Sequence, residues 1–205
     1  MKQIVILSAI AVSLSIASAC SSSPETTTTN RTTNTNATVT NSATTNAPHT
    51  TMADDTPAAV KAVFPDAQSI TTQHKDVPAD KIASIEKDTS SKVPDKDHHS
   101  YLAFSATGGA RKQIGAATIV KVEGRDVVIV YDNKDGSPVI KEVRAEGVPA
   151  PFLAQFAGKG HDNDLLLGAD IKASGVNDVQ AKAITEAVRV DVLTMQALYG
   201  AAHKH

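Results

Sequence analysis

The sequence predicts an α+β domain held behind an exported, membrane-tethered leader. Three observations carry that expectation. Four β-rich runs separated by short turn signals follow one another between residues 100 and 144. Apolar residues at helical spacing fill the stretch from Val179 to Tyr199. A Thr/Asn-rich segment near the start lacks the apolar residues needed to build a core. Helices, then an antiparallel meander, then helices is an α+β order.

Residues 1–19 have the layout of an export signal: Lys2, an apolar run from Ile4 to Ile16, then the small residues Ala17, Ser18 and Ala19. The run is short for a span, since a transmembrane helix takes roughly 20 apolar residues. Cys20, the single cysteine of the chain, follows at once. "IASAC" resembles a bacterial lipobox, with Ala17 where Leu is usual. That resemblance implies lipidation of Cys20 and a membrane anchor; the alternative is ordinary cleavage after "ASA", leaving a free thiol. Ser21, in place of an Asp retention signal, favours the outer membrane in a Gram-negative host. With one cysteine the chain cannot form an internal disulfide, so the folded part relies on its core.

Residues 20–52 are nearly all Thr, Asn, Ser and Ala after the cysteine. They cannot bury enough apolar surface to offset the entropy of ordering, and read as a disordered tether. Residues 53–205, roughly 150, suit one domain with its own core. A net charge of −2, with no basic stripe, argues against a nucleic-acid partner. There is no Trp, so Val, Ile, Leu and Ala must fill the core.

Within that domain, "TPAAVKAV" reads as a helix with Thr56 as N-cap and Pro57 in the first turn, ending before Phe64-Pro65. Residues 79–87 form a second short helix, followed by a polar loop through "DTSSKVPDKDHHS". Strands are expected at 100–106, 113–122, 126–132 and 138–144. "EGR" and "NKDGS" supply the intervening turns, with Gly124 and Gly136 free to take positive φ. A short helix from about Pro151 presents Phe152, Leu153 and Phe156 on one face and stops at Gly158. The last helix carries Ala183, Ile184, Ala187, Val188 and Val192 on its apolar stripe. Asn177 with Gln180 makes a capping-box pattern, Asp178 is an equally good cap, and Gly200 is a natural C-terminal stop.

The segments "AVFPDA" (62–67), "IGAATIVKVEG", "FLAQFAGK" (152–159) and "GADIKA…AKAITEAVR" together resemble the extracytoplasmic FMN-binding domain. That domain occurs in flavoprotein subunits of the Rnf complex and of the sodium-pumping NADH:quinone reductase. The resemblance spans most of residues 57–200. In the family a loop reading roughly "D-[IV]-x-x-[IV]-S-G-A-T-x-[ST]" precedes the last helix, and its Thr carries FMN as a phosphoester. Such a helix start suits a phosphate, because its N–H groups are unpaired and its dipole end is positive. The flanks align here without a gap, from Asp170-Ile171 to Thr185-Glu186-Ala187-Val188-Arg189. At the centre the acceptor Thr is replaced by Asp178, preceded by Gly175, Val176 and Asn177. A one-residue slip matches Ser174-Gly175 to the family's "SG" and moves the acceptor position to Asn177.

A carboxylate cannot replace a hydroxyl in a stable phosphoester, so the resemblance implies FMN held at most non-covalently. The residues it marks for cofactor binding are Lys159, Asp170, Gly175, Asn177 and Asp178. It implies a membrane-anchored protein of the bacterial envelope, facing the periplasm or exterior, linked to electron transfer and to an envelope redox partner. Two other readings stand beside it. One is a flavin-less accessory or interaction module of an envelope complex. The other is a metal- or haem-related binding protein built on histidines, which cluster in "DKDHHS", "GKGHDND" and the closing "HKH". These clusters read first as solvated loops and a frayed tail. Neighbouring His98 and His99 would point to opposite faces of a strand and could not easily share a metal. No zinc-site spacing is present, and no metal ligands are assigned. No nucleophile elbow, Cys–His pair or paired-carboxylate motif points to an independent enzyme, so an electron-transfer or binding protein is expected.

The anchor reading predicts that the mature protein sediments with membranes and that Cys20→Ser releases it. Fractionation that finds a soluble mature form with Cys20 intact would remove the lipid anchor.

Overall fold

The computed structural model describes residues 55–106 and 109–201. The signal segment, Cys20 and the tether lie outside the described residues. The α+β expectation holds: a five-stranded antiparallel sheet of order β1-β2-β3-β4-β5 is flanked by helices. The elements run α1 (Ala58–Val63), β1 (Ser69–Asp76), α2 (Ala79–Thr89), β2 (Asp97–Ser105), β3 (Lys112–Val122), β4 (Arg125–Lys134), β5 (Ser137–Ala145), α3 (Ala150–Leu153) and α4 (Asp178–Tyr199). A single 3-10 turn, Ala154–Phe156, continues α3.

The strand β4 explains how one sheet serves two cores. Its run from Val127 to Tyr131 is buried throughout, and alternate residues leave on opposite faces. Val127, Ile129 and Tyr131 meet Phe152, Phe156, Ile184, Val188, Val192 and Met195 from α3, its 3-10 turn and α4. Val128 and Val130 meet Val60 and Phe64 at α1, together with Tyr101, Ala103 and Ala117. Phe152 and Phe156 stand edge to face, with ring centroids 5.6 Å apart. The β3–β4 and β4–β5 links are the two expected tight turns. Glu123-Gly124 and Asp135-Gly136 all take positive φ, the backbone of a type I′ hairpin whose twist matches its strands.

Four expectations need correction. An unforeseen strand, β1, lies between α1 and α2 and pairs antiparallel with β2 along its length. It is an edge strand with Ile70 as its one large apolar residue, so backbone pairing holds it and little apolar alternation advertises it. The polar loop accordingly ends early, because Asp97 to Ser100 already belong to β2. At α1 the cap position falls to Pro57, whose extended ψ precedes the first turn, while Thr56 is buried without capping. Gly200 closes α4 at φ −71° in extended backbone, so the left-handed freedom of glycine is not used there. The α4 start matches the capping-box reading: the Asn177 side chain accepts from the Gln180 amide at 2.8 Å, and Asp178 is the first helical residue.

Phe152 is fully buried, and Phe152→Ala should cost about 3–5 kcal/mol through lost burial and the cavity left behind. Urea unfolding measures it; a loss below about 1 kcal/mol would show that the site collapses around the smaller side chain.

Candidate functional site

The loop marked by sequence is organised by one glutamine. Gln155, in the 3-10 turn, donates through Nε2 to the Lys172 carbonyl at 2.9 Å and accepts the Lys172 amide through Oε1 at 2.8 Å. This amide pairing holds the "FLAQFAGK" segment against the "GADIKASG" segment. Ile171 anchors the latter in the core, fully buried. Beyond it, Gly175 turns the chain at φ +78° beside Pro149, and Asn177 opens α4.

The marked residues line neither of the two clefts described below. Lys159 is used through its backbone, its carbonyl accepting from the Ile140 amide at the edge of β5. The Asp170 carboxylate accepts weakly from the Leu166 amide at 3.5 Å within its own turn. Gly175, Asn177 and Asp178 are exposed. Among the described residues, no hydrogen bond or ion pair joins Lys159 to Asp170, Asn177 or Asp178. Two surface clefts lie elsewhere. One, about 760 Å³, is lined by His74, Tyr131, Pro138, Met195 and Tyr199. The other, about 660 Å³, is lined by His98, Tyr101, Lys121, Glu186 and Asp191. Neither is lined by the loop.

The most elaborate polar chemistry sits under α4. Asp191 is buried, and its Oδ2 accepts from Thr118 Oγ1 and from the Tyr131 hydroxyl, each at 2.6 Å. His98 Nε2 faces its Oδ1 at 3.0 Å, so Nε2 carries the proton. His98 Nδ1 is buried with no hydrogen-bond partner among the described groups. His98 therefore is not in the solvated loop expected for "DKDHHS": it points inward from β2, its side chain 11% exposed. Burial first, and then the negative charge of Asp191, push the Tyr131 phenol well above its ordinary range. Sequence reasoning missed this network, although one signal was present. Asp191 stands seven residues after Ile184 and three after Val188, inside the apolar stripe of α4, where a carboxylate must find internal donors.

The neighbouring histidine behaves differently. His99 leaves β2 on the opposite face and meets His74, its register partner on β1, with ring centroids 4.0 Å apart. Asp97 shares that face, two residues before His99. Its Oδ2 lies 3.3 Å from His74 Nδ1 and 3.1 Å from His99 Nε2. Partial burial works against ionisation of Asp97, but hydrogen bonds from the two imidazoles prevail and lower its pKa. These three side chains are a group able to hold a metal ion. His161 is a third case, paired with Asp162 at 3.1 Å in its own loop.

Comparison with known proteins finds no matching family model, no matching curated protein and no matching solved structure.

Tyr131→Phe removes one donor from a buried carboxylate and should cost about 1–3 kcal/mol at neutral pH. The folded state holds the Tyr131 proton to higher pH than the unfolded chain does. Its contribution is therefore complete below about pH 10, the unfolded value, and drains away as pH rises through the folded one. Urea unfolding of both proteins from neutral to strongly alkaline pH should show their stabilities converging above about pH 10. Parallel curves would show that Tyr131 is not the source of the alkaline loss.

Proposed function

We propose that the chain is a membrane-anchored extracytoplasmic module of the FMN-binding type, holding flavin at most non-covalently and working beside an envelope electron-transfer partner. The observation that carries this reading is the Gln155–Lys172 pairing. It joins two of the four segments on which the resemblance rests and delivers the 170–178 loop to the start of a 22-residue helix. A helix start of that length supplies unpaired N–H groups and a positive dipole end. In this chain Asn177 takes the Gln180 amide for itself, and the Asp178 carboxylate stands in the first turn. That charge repels a phosphate and offers no hydroxyl, so FMN is not attached here as a phosphoester. The second reading is a flavin-less accessory module of an envelope complex, favoured by the exposure of Gly175, Asn177 and Asp178 and by the clefts lying elsewhere.

The backbone directs the test. Gly175 sits at φ +78°, where a side chain would cost about 1–2 kcal/mol. A rebuilt acceptor should therefore keep Ser174-Gly175 and carry Val176→Ala, Asn177→Thr, Asp178→Ser and Val179→Ser. Thr also caps a helix, so the substitution at 177 should cost no more than about 1 kcal/mol. Produced with a flavin transferase that recognises the family's motif, the parent should show the mass of its unmodified polypeptide, and the variant should gain one FMN and turn yellow. A parent already carrying covalent flavin would overturn the assignment of the loop. A folded variant that stays colourless and unmodified would leave the flavin-less module as the function.

A further inference from the structure

We propose that His74, Asp97 and His99 form a binding site for a divalent transition-metal ion of the zinc class, on the sheet face opposite α4. The site stands independently of any flavin. Its three donors come from two paired strands. His74 and His99 are directly opposed in the β1–β2 register, and Asp97 follows on the same face at the strand period of two. The ligand atoms, His74 Nδ1, His99 Nε2 and one carboxylate oxygen, all lie within 4.8 Å of one another.

The spacing of the ligand atoms fits a bound metal ion. Bonds of roughly 2.0–2.1 Å to a tetrahedral zinc place neighbouring ligand atoms about 3.3 Å apart. The two nitrogen-to-oxygen separations, 3.3 and 3.1 Å, lie close to that edge length. The same atoms also hold one another by hydrogen bonds. An ion between the three uses all of them as they already point, with the imidazole protons on His74 Nε2 and His99 Nδ1, away from the centre. Two imidazole nitrogens and one oxygen suit zinc, copper or nickel rather than calcium or magnesium, which take oxygen sets.

The surroundings suit a held but accessible ion. The Asp97 amide donates to the Asp95 carboxylate at 3.0 Å, which fixes the chain where the ligand leaves it. His74 lines one cleft, and Asp97 and His99 line the other. Three protein ligands leave a fourth position to water or to an anionic ligand.

The experiment uses the full chain without an added affinity tag, stripped with chelator and titrated calorimetrically with Zn²⁺ alone in a non-coordinating buffer. One saturable Zn²⁺ event should depend on the trio. His74→Gln, His99→Gln and the near-isosteric Asp97→Asn should each weaken it at least about tenfold. His161→Gln should leave it unchanged. Circular dichroism of each variant establishes the fold. The visible spectrum of the Co²⁺-loaded parent gives a second measurement on unaltered protein, and should show the strong bands of a tetrahedral site. Absence of saturable binding by the parent would overturn the site. So would an affinity unchanged in folded His99→Gln and Asp97→Asn, which would put the bound zinc elsewhere on the chain.

Discussion

The carboxylate of Asp191 fixes how the long helix lies on the sheet. Its partners come from three adjacent strands: His98 from β2, Thr118 from β3 and Tyr131 from β4. A buried carboxylate without donors is among the costliest errors a core can contain. An apolar stripe alone would let α4 slip or rotate with modest repacking. The three converging donors remove that freedom, because moving Asp191 by a turn would strand its charge. Pinning α4 near its middle sets the position of both ends. Its start falls where Gln155 has drawn the 170–178 loop, and its end falls across the β1 edge.

That arrangement divides the two histidines of "DHHS" between different tasks. The strand period sends His98 toward α4 and His99 away from it. One becomes part of a buried network that orders the core; the other becomes half of an exposed pair with His74. The two adjacent residues thus have different hydrogen-bond partners. The same period divides β4 between two cores, which is why this inner strand of an antiparallel sheet carries an unbroken apolar run.

Much of the framework was legible from the residues themselves. The hairpin turns Glu123-Gly124 and Asp135-Gly136 announce their flanking strands, and the stripe from Ala183 to Leu198 announces α4 to within a residue. What escaped depends on contacts across the chain. The strand β1 has little apolar alternation, since an edge strand is held through its backbone by β2. Without β1, the pairing of His74 with His99, 25 positions apart in sequence, cannot be seen. Asp191 could be flagged as a charge inside an apolar stripe, but its donors are ordinary strand residues until the sheet is assembled. For the flavin-type loop, sequence order located the segment and the Asn177 cap. The exposure of its residues, and the positive φ that reserves position 175 for glycine, are properties of the folded loop.

The C-terminal end of α4 completes the connection between core and surface. Lys75 reaches over the Tyr199 ring, 4.0 Å from its centroid, and donates to the Leu198 carbonyl at 3.2 Å. A cation there answers the negative end of the helix dipole as well as an unpaired carbonyl. The Tyr199 hydroxyl lies 2.7 Å from Ser100 Oγ and 3.3 Å from Gln73 Oε1. Gln73 and Lys75 are thus both drawn down onto the helix, one on each side of His74. Because successive strand residues point to opposite faces, holding those two to α4 forces His74 outward toward His99 and Asp97. The geometry of the partly exposed trio is therefore set from beneath, by the helix that Asp191 keeps in register.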